Sequence, residues 1–123
     1  MNISLTELEE INKNLVKQFG GGGYGFKDKN LAISAIEGCN QEIFGEVLYP
    51  SILSKINHVV FAIVAYHIFI DGNKRTALNI SEQLLTKYEY KYDLLEVRDY
   101  ILGIARSEYN EEDSLKVLTK IVK

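Results

Sequence analysis

The sequence has no tryptophan and only one proline, one cysteine and one methionine in 123 residues. A lone cysteine, Cys39, excludes an internal disulfide framework and suits a reducing compartment. A lone proline, Pro50, leaves few helix breakers, so a mostly helical chain is expected. Neither sign of charge dominates. Lys and Arg total 14 and Asp and Glu 17, for a net charge of −3. No global basic field draws the chain to nucleic acid or to an anionic membrane, so any anion site must be local. Long apolar runs are also missing. The longest, Val59 to Tyr66, is far too short to span a bilayer. The N-terminal stretch MNISLTELEE is acidic and amphipathic, unlike a signal peptide. The expectation is a cytoplasmic protein with no membrane contact.

What is present fits one domain over residues 1–123, with 46% hydrophobic and 25% charged residues. Ser4 and Glu7 have capping-box spacing, and Leu5, Leu8, Ile11, Leu15 and Phe19 recur at helical intervals, which predicts a helix from about Thr6 to Gln18. Gly20 to Gly23 stop it. They lack the Lys-Ser/Thr of a phosphate loop and read as a flexible connector. Asp28 caps a second helix with Leu31, Ala32, Ala35 and Ile36 on one face, and Phe44 to Tyr49 reads as an extended flap. Ser51 to about Tyr66 is the strongest helix, apolar nearly all round in its last two turns and therefore central. A loop, 67–73, leads to a helix from Lys74. Two more follow, from about Leu95 to Glu108 and after an Asn110 cap.

The loop His67-Ile-Phe-Ile-Asp-Gly-Asn-Lys-Arg75 breaks local rules. Gly72 and Asn73 are the residue types that most easily take positive φ. A turn of that kind at a helix start aims backbone N–H groups at one point, an anion nest. Lys74 and Arg75 follow in the first helical turn, where cations oppose the macrodipole by about 0.3–1 kcal/mol each. A bound polyphosphate turns that conflict into attraction. Asp71 stands where a carboxylate beside phosphates can hold Mg²⁺. His67, at the end of the preceding helix, is the candidate general base. Phe69 reads as the loop's apolar anchor. Taken singly, these residues also fit a helix cap, a plain turn and a solvated basic face. His58 has no partner motif and reads as structural.

HIFIDGNKR matches the Fic-family signature His-x-Phe-x-(Asp/Glu)-(Gly/Ala)-Asn-(Gly/Lys)-Arg at every specified position. Lys74 and the following Thr76 to Asn79 (Thr-Ala-Leu-Asn) resemble the death-on-curing, or Doc, branch, as do GGGGYGFKD and FGEVLYPS in their places. The resemblance implies a compact all-α Fic/Doc-like bundle of about six helices, with the loop between two central helices. It implies an enzyme in which His67 deprotonates a hydroxyl of a target protein and Asp71 binds Mg²⁺. Gly72, Asn73 and Lys74 form the anion hole, Arg75 holds a phosphate of ATP, and Asn79 also reaches the nucleotide.

Two positions differ from the larger, adenylylating Fic enzymes. Their second motif Gly is Lys74 here, and their second Arg is Leu78. The Doc pattern implies instead transfer of the γ-phosphate of ATP to a threonine of elongation factor Tu, arresting translation. Adenylyl transfer and a non-catalytic interaction protein are the competing readings. The inhibitory Ser/Thr-x-x-x-Glu-Gly/Asn pattern is not met, because Ser34 to Glu37 has one residue too few. The resemblance therefore implies inhibition in trans, by an antitoxin protein that docks as an amphipathic helix.

Overall fold

The computed structural model describes residues 1–123 and contains six α-helices. These are α1 (Leu5–Phe19), α2 (Lys29–Glu37), α3 (Ile52–Ala65), α4 (Asn73–Lys87), α5 (Leu94–Ala105) and α6 (Glu111–Ile121). A 3-10 turn (Gly38–Asn40) and a two-stranded hairpin, β1 (Glu42–Ile43) and β2 (Glu46–Val47), join α2 to α3. The expected flap, Phe44 to Tyr49, starts at the tip of this hairpin rather than forming it, and Phe44 there is wholly in solvent. The fold is all-α, and α3 is its centre. Ile56, Val59, Val60, Ala62 and Ile63 are each 0% exposed, and past Lys55 only the strip of His58, Phe61 and Ala65 is partly exposed, as suits a mostly apolar central helix.

Helix starts follow the side-chain caps. Ser4, Asp28, Ser51, Asp93 and Asn110 each accept a first-turn N–H of their helix. Ser4 takes the Glu7 N–H at 3.2 Å, while the reciprocal capping box forms at Ser51 and Ser54. The buried face of α1 differs from the expected one. Leu8, Asn12 and Val16 point inward, whereas Phe19 is half in solvent. In α2, likewise, Leu31 faces out and Ala32 and Ile36 face in.

Three helix ends share one device. Ile68 N–H reaches Ile63 O across His67, Tyr90 N–H reaches Leu85 O across Glu89, and Glu108 N–H reaches Gly103 O across Ser107. The bridged residues have φ of +49°, +64° and +58°. Each is a Schellman-type stop, built without the usual glycine. After α4, Lys91 pairs with the chain's last residue through reciprocal Lys91–Lys123 backbone bonds of 2.9 Å. His58 is structural, as expected. Its ring nitrogens face Ala35 O and the Glu111 carboxylate, tying α3 to α2 and α6.

Candidate active site

The loop between α3 and α4 begins and ends on left-handed residues. His67 occupies the αL position of the α3 stop at φ +49°, where a side chain costs energy, and Gly72 has φ +73°. A Cβ on Gly72 would lie 3.0 Å from Val16 Cγ2 and 3.3 Å from Asn12 Nδ2, so only glycine fits without displacing α1.

Between these points the loop is pinned. Phe69 is 0% exposed and stacks on Phe26 with ring centroids 5.0 Å apart. Its backbone forms an antiparallel bridge with Phe26, flanked by Lys27 N–H to Ile68 O (2.9 Å) and Ile70 N–H to Gly25 O (3.1 Å). Asn73 braces the loop from α4. Its Oδ1 accepts Phe69 N–H at 2.9 Å, and its Nδ2 donates to Phe69 O at 3.1 Å. The Asn73 carboxamide thus faces the loop, and the Asn73 backbone N–H lies at the open start of α4.

A residue that sequence reasoning missed ties the parts together. Asn12 of α1 is 0% exposed. Its Nδ2 donates to Asp71 O (2.8 Å) and Thr76 Oγ1 (3.1 Å), and its Oδ1 accepts Gly25 N–H (2.8 Å). Its signal was a carboxamide in the middle of the i, i+4, i+8 stripe Leu8-Asn12-Val16. A buried amide there needs partners from elsewhere in the fold.

His67, Asp71, Gly72, Asn73, Lys74 and Arg75 line one open cavity of about 480 Å³, backed by Val64 of α3 and Ala105 of α5. α4 alone among the six helices starts with no side-chain cap and no acid in its first turn. Its first amides remain open, and Lys74 and Arg75 add positive charge beside them. Arg75 also packs over the Phe19 ring, 4.5 Å from its centroid. Asp71 accepts Gly22 N–H on Oδ2 (2.8 Å) and Gly72 N–H on Oδ1 (2.7 Å). These two bonds, and then the Arg75 charge, hold its carboxyl below the ordinary value of 3.8. The glycine turn, expected as a connector only, therefore touches the site. Asn79 does not. It receives Gln83 Nε2 at 2.6 Å and lines a separate groove of about 630 Å³ between α1 and α4.

The residues fit Mg²⁺ held chiefly by phosphate oxygens. One ionised carboxylate faces the cavity, each of its oxygens keeps a lone pair beyond its amide bond, and no cluster of three ligating side chains is present. His67 stands at one end of the short loop, and open helix amides with two cations stand at the other, an arrangement suited to group transfer on phosphates. The Fic/DOC family model matches residues 2–85, from just before α1 into the last turn of α4. The chain belongs to the Fic/DOC family and is a Fic-type transferase, of a class that uses ATP with a metal ion. No curated protein matches it. No helix is long and apolar enough to cross a membrane.

Proposed function

We propose that the protein transfers the γ-phosphoryl group of ATP to a hydroxyl of a target protein. The first target to test is a threonine of elongation factor Tu, whose modification arrests translation. The observation that carries this reading is Lys74. It lines the reaction cavity at the position where adenylylating Fic enzymes have glycine. A side chain there narrows the approach of an α-phosphate and offers a cation to a terminal one.

In this reaction one imidazole nitrogen of His67 accepts the hydroxyl proton as the target oxygen bonds to Pγ. The bridging Pγ–O bond breaks, and ADP leaves with its electron pair. The amides at the start of α4, with Lys74 and Arg75, hold the phosphate oxygens as charge redistributes. Asp71, with phosphate oxygens, would hold Mg²⁺, which would supply charge neutralisation. Arrest of growth also requires restraint. The same reading includes an antitoxin helix docked on this chain, and the α1–α4 groove lined by Ile3, Ile11, Asn79 and Lys87 suits an amphipathic segment.

The test is paired labelling of target protein from ATP carrying label at α or at γ. Label from γ alone is expected, with Lys74→Gly weakening transfer. Label from α on the target of the wild-type protein would overturn the phosphoryl reading in favour of AMP transfer.

A further inference from the structure

We infer that the glycine turn of residues 20–23 is a positioning element for the metal-holding carboxylate. Gly22 N–H orients Asp71, and position 21 must carry no side chain for that bond to form. The inference rests on Asp71 holding Mg²⁺ beside the nucleotide, as read above.

Asp71 is gripped from two directions. The Gly72 N–H bond to Oδ1 (2.7 Å) is local and is available to any Asp before such a turn. The Gly22 N–H bond to Oδ2 (2.8 Å) spans 49 residues and comes from a different part of the fold. One amide on each oxygen fixes the rotation of the carboxylate, so its remaining lone pairs have set directions.

Close approach of the turn is what makes the second bond possible. A Cβ on Gly21 would stand 2.9 Å from Asp71 Oδ2 and 3.2 Å from Val16 Cγ1. A Cβ on Gly22 would meet Oδ2 at 3.7 Å, an ordinary contact. The turn is itself held at both ends. Gly20 N–H bonds Val16 O at 2.8 Å, and Gly25 N–H bonds Asn12 Oδ1 at 2.8 Å. Asn12 also holds Asp71 O, so one buried side chain sets the turn and the loop against each other.

Gly21→Ala and Gly22→Ala are compared, the backbone strain of alanine at the Gly21 φ of +159° being read from the melting temperature. Both remove a glycine from the same exposed turn and change the unfolded chain alike. Only the first pushes a methyl group into Asp71. The readout is the affinity for ADP at saturating Mg²⁺ divided by that in EDTA, with melting temperature recorded for each protein. In Gly21→Ala the Mg²⁺ enhancement should fall by about 10–100-fold, the scale for disturbing the support of a metal ligand. In Gly22→Ala it should stay at the wild-type value, and Gly21→Ala alone should melt lower, because its Cβ also meets Val16 Cγ1 at 3.2 Å and its φ of +159° strains an alanine. Equal enhancement in the two variants overturns the inference. If Gly21→Ala does not fold, the amide of Gly22 in nitrogen-15 spectra decides. Its resonance must move on Asp71→Asn, and an unmoved signal overturns the inference. An Asp71→Asn protein with full Mg²⁺ enhancement overturns the metal reading itself, and the inference with it.

Discussion

Asn73 grips Phe69 by both ends of its carboxamide, accepting the Phe69 N–H at 2.9 Å and donating to the Phe69 O at 3.1 Å. The signature asparagine is therefore a brace across the loop, whatever its backbone N–H contributes to anion binding. Asn73→Asp keeps the acceptor but sets a carboxylate oxygen against the Phe69 carbonyl. The expected cost is about 1–3 kcal/mol, the range for leaving a hydrogen-bonding group without its partner. Urea denaturation measures it, and an unchanged midpoint would contradict the brace.

Phe69 fills the space beneath the loop, 0% exposed and stacked on Phe26. Phe69→Ala should cost about 3–5 kcal/mol as a core truncation. A small domain holds only about 5–15 kcal/mol in total, so the melting temperature should drop by many degrees. A shift within the error of the melt would show that the anchor is absent.

His67 combines exposure with left-handed backbone at φ +49°. His67→Asn removes the base while placing a residue that tolerates this conformation. Turnover should fall by about 10²–10⁴, with no loss of stability. Full turnover in a correctly folded variant would remove His67 from the reaction.

Asp71 bears on pH. Its carboxyl lies below 3.8 because Gly22 N–H, then Gly72 N–H and Arg75 favour the charged form. A lowered folded value means its stabilising contribution is complete above the unfolded value. That contribution is lost as the pH falls from about 3.8 through the folded value. The carbon-13 titration of the Asp71 carboxyl should have its midpoint below 3.8. A midpoint at or above 3.8 would show that the amides do not hold it.

The helices and the loop were legible because their signals are local. Ser4, Asp28, Ser51 and Asn110 announce helix starts, and HIFIDGNKR is contiguous. Helix ends were harder to read. α5 stops at Ala105, short of the expected Glu108, because its stop sits on Ser107 rather than on a glycine. Asn12 and Gly22 act on residues 59 and 49 positions away, and no pattern along the chain records such a meeting. Asn79, expected to reach the nucleotide, lines the groove between α1 and α4.

The bridge between Phe26 and Phe69 has a kinetic consequence. With Ile68 and Ile70 bonded to the chain around Gly25 and Lys27, little of the loop is left to order when nucleotide arrives. Association should behave as a one-step encounter. In stopped flow, the observed rate should climb linearly with nucleotide concentration, where a closing loop would impose a plateau. Slow turnover in this protein would then originate in meeting the target, in the chemical step or in releasing product, and not in assembling the site.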